Sequence, residues 1–367
     1  MRIRNLKKNI INMKYPFFIL KIFFVYFFLL TSCSTPNQNE TGPTSYLITI
    51  NGKIPVDSLS LALIHEHVFL DWSPAEDQQP EHWNNEEAFD IILPQLQAVQ
   101  ALGVNTFLEC TPQYIGRNLT LLKRLADSTG LNILTNTGYY GAREDEHVPE
   151  HAYRETADQL AARWIQEWEE GIEGTGIRPG FIKIGVDGDS VLSDIDEKLV
   201  RAAARTHLQT GLTIVAHTGP DAPALQQVDI LEEEGVSPDA WVWTHAQNGT
   251  SPTQIALAQK GAWISLDGLG WIDPVEGDST ALFKYIDQLV QLKTHALLHR
   301  TLISHDAGWY THGEEKGGEF KPFTPIFDLV IPELRKRGFE QADLDQLFIN
   351  NPREAYQVRV RKEEGAD

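Results

Sequence analysis

Six side chains in this sequence have the chemistry of metal ligands. His65 and His67 stand two apart in "LIHEHV", and on a strand that spacing turns both imidazoles to one face. His217 closes "IVAH", His245 closes "VWTH" and Asp306 closes "LISHD", each after a short apolar run. Neutral imidazole and carboxylate are ordinary ligands of zinc and related divalent ions. Lys183 is the odd member. It sits inside "PGFIKIGVDG", an apolar run bounded by Pro-Gly and Asp-Gly turn signals. A buried, unpaired ammonium is costly, so a lysine in such a place loses its proton, snorkels to water or finds a partner, for which Asp187 and Asp189 stand near. A neutral lysine amine can also react with carbon dioxide. The resulting carbamate is an anion with one oxygen for each of two metals. Two divalent ions, balanced by a carbamate, Asp306 and a bridging hydroxide, leave a small positive residue suited to a polarised oxygen. A cationic lysine would leave two metals badly undercompensated.

These residues need a scaffold that brings them together. Short apolar or β-branched runs recur at 61–65, 104–109, 132–135, 181–185, 212–217, 241–245, 262–267 and 301–306. Helix-like stretches at 86–102, 119–129, 153–171, 194–210, 222–234, 253–260 and 282–297 separate them. A last helical piece, 325–337 with 342–347, closes the ring. Strand and helix alternating eight times predict an α/β fold, a (β/α)8 TIM barrel. Before it, "YLITINGKIPV" predicts a short N-terminal β-hairpin turning at Asn51-Gly52. An open doubly wound sheet is the other architecture, but no glycine-rich phosphate fingerprint follows the first strand. Barrel enzymes carry their chemistry at the C-terminal strand ends, where all six candidates fall or lie near.

Other polar residues receive plainer readings. His82, His147, His151, His207, His295, His299 and His312 fall in loops or on helices. His305 points away from the barrel interior by strand alternation. Glu109 and Asp267 end strands at the same rim, as hydrogen-bond acceptors for histidines or for Arg117. Trp72, Trp83, Trp271 and Trp309 lie just past strand ends, as an apolar acyl pocket or as loop anchors.

The first 32 residues carry six basic residues, no acid, and the apolar run "IFFVYFFLL". That is the pattern of a signal peptide, with Met13 as an alternative start. The segment "LTSC" resembles a bacterial lipoprotein box, which implies cleavage before Cys33 and lipid attachment there, on the periplasmic or cell-surface side of a bacterial membrane. An uncleaved membrane anchor is the alternative, although the apolar run is short for a bilayer span. The expected organisation is a signal peptide over 1–32, a flexible tether over 33–44, the (β/α)8 barrel over 45–358 and a frayed tail over 359–367. Removing 1–32 takes six of the 31 basic residues and none of the 51 acidic ones, leaving a net charge of −26. Such a surface argues against nucleic acid and against electrostatic docking to anionic lipid. Of the two cysteines, Cys110 is expected as a small buried apolar side chain.

The candidates, together with "GRN" (116–118), "NTGYY" (136–140), "EHVPE" (146–150), "GIEGTGIRPGFIKIG", "AHTG", "THAQNG", "SHDAG" and "INNPREAY", resemble the phosphotriesterase family of the amidohydrolase superfamily over about 48–356. The resemblance implies a binuclear centre: His65, His67 and Asp306 on the more buried metal, His217 and His245 on the more exposed one, and carboxylated Lys183 bridging them. Zinc is the expected ion, with manganese, cobalt and iron also accepting such ligands. The chain departs from true phosphotriesterases at two positions. Asn248 and Gly268 stand where an aspartate and a histidine relay protons from the strand-eight aspartate. Weak phosphotriesterase activity at most is therefore expected. "SHD" and Tyr140 look more like the lactonase branch, in which a matching tyrosine sits beside the substrate oxygen. The implied reaction is hydrolysis of a lactone or carboxylic ester by a metal-bridging hydroxide, with Asp306 taking its proton and Tyr140 near the oxyanion. A homodimer is usual in the family. A mononuclear hydrolase or deaminase and a non-catalytic metal-binding surface lipoprotein are the alternatives.

Overall fold

The computed structural model describes residues 45–272, 279–363 and 365. The signal peptide, the Cys33 anchor and the whole tether over 33–44 lie outside the described residues, as do 273–278, 364, 366 and 367. Among the described residues no helix is long and apolar enough to cross a membrane.

The chain opens with an antiparallel hairpin, β1 (Tyr46–Thr49) and β2 (Gly52–Pro55). Thr49 pairs with Gly52, so the turn is Ile50-Asn51, one residue earlier than expected. The Thr49 hydroxyl holds this register by donating to the Gly52 carbonyl at 2.9 Å. Ten parallel segments follow: β3 (Ala62–Leu70), β4 (Thr106–Glu109), β5 (Asn132–Leu134), β6 (Asn136–Thr137), β7 (Phe181–Gly185), β8 (Ile214–His217), β9 (Trp241–Thr244), β10 (Trp263–Leu266), β11 (Thr301–Ile303) and β12 (Gly308–Thr311). Their order is β12-β3-β4-β5 in one sheet and β6-β7-β8-β9-β10-β11 in the other. Since β5 and β6 are halves of one strand broken at Thr135, and β11 and β12 halves of another, these make the eight strands of a (β/α)8 barrel.

The seam at strand eight is closed by a side chain. The Ser304 hydroxyl accepts from the Ile64 and His65 amides at 3.0 Å each, where a ladder would place a carbonyl. Asp306 then adopts a left-handed φ of 53°, and its own amide donates to the His65 carbonyl at 2.9 Å. This kink separates β11 from β12, whose pairing with the upper half of β3 was not foreseen.

The main helices are α1 (Asn85–Ala101), α2 (Leu119–Thr129), α3 (Glu150–Arg154), α4 (Ala157–Glu170), α5 (Asp194–Thr210), α6 (Asp221–Glu233), α7 (Ser251–Gln259), α8 (Ser279–Thr294), α9 (Ile331–Lys336), α10 (Gln341–Asp345) and α11 (Asn351–Tyr356). The single helix expected over 153–171 is two. Glu155 is extended, and a reciprocal capping box between Thr156 and Gln159 restarts the helix at α4.

Two apolar layers hold the barrel. The outer one lies between strands and helices and includes Leu63, Phe107, Ile182 and Ile214. The inner one fills the barrel with Ile64, Leu108, Phe181, Val215, Val242 and Leu302, and the hairpin residue Leu47 packs against it. Cys110 belongs to this inner layer, fully buried, and burial raises its thiol pKa. The tail expected to fray from 359 is instead docked through Glu363. Arg361 is 4 % exposed, its amide donates to His207 Nε2 at 2.8 Å, and its guanidinium reaches the Glu354 carbonyl at 2.7 Å. The many charges there hid an arginine whose stem is buried and whose two terminal nitrogens donate to carbonyls inside.

Candidate metal centre and active site

The C-terminal ends of the strands bring the six predicted ligands to one cavity. His65 and His67 come from β3, Lys183 from β7 and His217 from the last position of β8. His245 follows β9, and Asp306 sits at the kink after β11. His67 Nε2 lies 3.0 Å from Asp306 Oδ1, His65 Nε2 lies 3.7 Å from it, and Lys183 Nζ lies 3.4 Å from His65 Nε2. The His217 and His245 rings are 4.4 Å apart between centroids, and His65 and His245 are 5.1 Å apart. His245 and Asp306 share a left-handed backbone, strain of the kind that collects at functional sites.

A change of parity lets β3 do this. Ala62 and Ile64 face the barrel interior, yet so do His65 and His67, because the register with β4 shifts between Leu63 and Glu66. The extra residue re-aims every side chain above it.

The outer faces of the imidazoles are also fixed. Asp267, fully buried, accepts from His65 Nδ1 and from the Ser265 hydroxyl through Oδ2, each at 2.8 Å. Its Oδ1 accepts from the His245 amide at 2.9 Å and lies 2.9 Å from His245 Nδ1. His67 Nδ1 hydrogen-bonds with Thr111 Oγ1 at 2.9 Å. Nitrogens anchored in this way leave the Nε2 atoms of His65 and His67 facing Asp306, as a ligating histidine requires. Burial, with the Lys183 charge adding to it, pushes the His65 pKa down to about 4. Burial likewise takes His217 well below its ordinary value. Both are therefore neutral donors at neutral pH. Burial opposes ionisation of Asp306 and Asp267, but the neighbouring imidazoles override it and hold both pKa values below the carboxylate range. Burial also disfavours a charged His245, yet Asp267 outweighs it and raises that pKa. Imidazoles kept neutral at His65 and His217, an ionised carboxylate and a buried amine whose one hydrogen-bond partner among the described residues is His65 fit a divalent-metal site.

The enclosed cavity measures about 50 Å³, room for ions and a few waters. Trp72, Tyr140 and Trp309 form its outer wall. The Tyr140 hydroxyl shares a 3.3 Å hydrogen bond with His217 Nδ1, and burial raises its pKa, so the phenol keeps its proton. Trp271 Nε1 donates to Asp306 Oδ2 at 3.0 Å, which leaves Oδ1 for His67. A larger depression of about 480 Å³ lies beside Tyr114 and Glu167, away from this chemistry.

Several plainer readings need correction. Among the described residues Glu109 hydrogen-bonds with neither a histidine nor Arg117, whose charge acts on it only at a distance. Its Oε1 accepts from the Val68 amide at 3.2 Å, Oε2 has no partner, and burial pushes its pKa up to about 8. Arg117 pairs instead with Glu167 and Glu173. Trp83 is a loop anchor, donating to Asp71 Oδ2 at 2.8 Å. Asp187 does not pair with Lys183; it accepts from the Arg143 and Glu144 amides. Glu66 went unread. Fully buried on the outer side of β3, it accepts from the Ser304 hydroxyl, His305 Nδ1 and the Ala307 amide at 2.7–3.0 Å, clamping the segment that presents Asp306. A carboxylate between two inward histidines was the available signal.

A closed parallel barrel with imidazoles and a carboxylate gathered at its C-terminal rim defines a metal-binding hydrolase architecture. The chain belongs to the phosphotriesterase family, whose model matches residues 45–356. It is 28 % identical to a phosphotriesterase homology protein of Escherichia coli over 302 residues, 82 % of this chain and 99 % of that one. It is also 28 % identical to an aryldialkylphosphatase of Saccharolobus solfataricus over 322 residues, 84 % of this chain and 99 % of that one. Among solved structures, a mutant of a phosphotriesterase-like lactonase from Deinococcus radiodurans superposes with a TM-score of 0.75 at 25 % identity, covering 84 % of this chain and 99 % of that one.

Proposed function

We propose that the protein is a binuclear hydrolase of lactones or carboxylic esters, with Lys183 carboxylated between two divalent ions, zinc foremost. The observation that carries this reading is Lys183 itself: 1 % exposed, on the inner face of β7, with its amine 3.4 Å from a ligand-type imidazole nitrogen and no carboxylate partner among the described residues. A carbamate there would turn an uncompensated cation into a bridging anion. His65, His67 and Asp306 would hold one ion, and His217 and His245 the other. Bound metals supply a polarised substrate oxygen and a water acidified to react near neutral pH.

The chain's own groups do the rest. Asp306 Oδ1, ionised at neutral pH, accepts the proton that the attacking water loses. Tyr140 keeps its proton and donates a hydrogen bond where the substrate oxygen becomes negative. Asp267 and Thr111 hold the imidazole tautomers. Trp72 and Trp309 exclude bulk water. One water is consumed; the acyl–oxygen bond breaks, and the proton held by Asp306 passes to the leaving alkoxide. In a lactone that alkoxide stays tethered, so delivery is local. This suits a chain with Asn248 and Gly268 at the relay positions. Export and lipid attachment at Cys33 belong to the same proposal and rest on the "LTSC" segment.

A panel of lactones, aryl esters, amides and phosphotriesters, assayed on metal-reconstituted protein lacking residues 1–33, tests the reading. Turnover of lactones or esters well above phosphotriesters is expected. No turnover of any member, with metals bound, would favour the non-catalytic alternative.

A further inference from the structure

The rim above the cavity carries a cation that the reaction does not use. Lys321 is pinned by its backbone: its amide donates to the Gly308 carbonyl at 2.8 Å, and its carbonyl accepts from the Gly308 amide at 3.0 Å. Gly308 is two residues past Asp306. From this fixed position the Lys321 ammonium lies over the Trp271 ring, 4.5 Å from its centroid. The far edge of the same indole donates to Asp306 Oδ2 at 3.0 Å. One tryptophan therefore spans the distance from a candidate metal ligand to the cation. Trp271 meets Trp309 edge to face at 4.7 Å, and Trp309 meets Trp72 at 5.6 Å. Arg143 covers Trp72 at 4.6 Å, loosely paired with Glu146 at 3.7 Å.

Lys321 makes no ion pair with any described residue. With a net charge of −20, the general field of the chain repels anions from the surface. An ammonium seated over the Trp271 ring beside the site, with no ion-pair partner among the described residues, is a local positive point in that field. Its geometry suits an extended molecule with an apolar body on the indoles and a negative end at the ammonium.

We infer that the substrate of this site is anionic: an ester whose acyl portion ends in a carboxylate, held by Lys321 one indole away from the reacting carbonyl. The inference rests on the ester-hydrolase reading above. Lys321 is a specificity residue and touches no reacting atom.

The test compares two esters of equal acyl length, the 4-nitrophenyl monoester of adipic acid and 4-nitrophenyl hexanoate, on the metal-loaded protein. A charge-assisted contact of ordinary strength predicts roughly a tenfold higher kcat/KM for the adipic ester, shrinking as salt is raised. Lys321→Met should raise KM for that ester by about the same factor, leave its kcat unchanged, and leave both constants for the hexanoate unchanged. Lys321→Arg should retain the preference. Equal kcat/KM for the two esters, or a Lys321→Met protein slowed equally on both, would overturn the inference and make Lys321 a loop anchor. If neither ester is turned over, the carboxylic-ester part of that reading fails, and the lactones of the panel remain its test. Tryptophan quenching by 5-phenylpentanoate, set against 5-phenylpentanol, then decides the anion site: carboxylate-selective binding weakened in Lys321→Met upholds it, and equal binding by both proteins overturns it.

Discussion

Phe181 and Lys183 are neighbours on the inner face of β7, and both are essentially unexposed. Below, Phe181 packs with Leu134, Val215 and Tyr356 in a layer that the N-terminal hairpin caps. Above, Lys183 faces four imidazoles and a carboxylate across a cavity. One strand thus serves a closed, dry end and an open, polar end only two residues apart. The lower end gains stability from apolar contact. The upper end carries a buried amine and left-handed backbone at His245 and Asp306, both of which cost stability in the metal-free protein. The barrel carries its function on an end that the other end stabilises.

That contrast can be broken from either side. The largest effect is expected from Lys183→Met, which keeps the stem and removes the amine. Activity should fall by more than about a hundredfold, since loss of a bridging group exceeds the usual cost of disturbing a ligand's support. The metal-free variant should nevertheless unfold at higher urea than metal-free wild type, because a poorly compensated buried amine is gone. Equal activity, or lower stability, would show that Lys183 is structural.

Asp267→Asn should lower metal affinity and activity by about 10- to 100-fold, the usual range for a group that orients a ligating histidine. Metal competition against a chelator reads the affinity. An unchanged value would mean that His65 and His245 are held by packing alone.

At the closed end, Phe181→Ala should cost about 3–5 kcal/mol of stability by leaving a cavity. Its kcat/KM per folded molecule should stay near wild type at a temperature where the variant is folded. A large loss of kcat/KM there would show that the two ends are coupled more tightly than their separate layers suggest.

The smallest effect concerns Asp196, buried near the start of α5 with Oδ1 unpartnered. Burial pushes its carboxyl up to about 7 from 3.8. Between those values the folded state keeps a proton that the unfolded chain has released, so stability falls as pH rises through the window. Asp196→Asn should raise the urea midpoint at pH 7.5 and leave it nearly unchanged at pH 4. A rise of equal size at both would assign the effect to something other than this proton.

Much of this arrangement was legible in local pattern. Apolar runs ending in His217 and His245 announced strands that deliver candidate ligands to one rim, and the Asp-Gly and Pro-Gly brackets around Lys183 marked β7. What escaped depends on partners far along the chain. The shift in β3 that turns His65 inward after Ile64 is settled against β4. The Ser304 hydroxyl closes the barrel onto residues some 240 positions earlier, and Glu66 clamps the Asp306 segment from the same distance. No periodicity encodes those pairings. Thr111, two residues past the end of β4, supports His67 through one hydroxyl that looks like any loop threonine. The charged C-terminal stretch read as solvated because the interior seat of Arg361, between α11 and Thr213 just before β8, is visible only in three dimensions.

The most direct measurement is the electron density around residue 183 in crystals of the fully metallated protein, with anomalous data at the metal edge. A planar group beyond Nζ, touching two anomalous peaks, is the expected result. A bare amine beside a single peak would contradict the account.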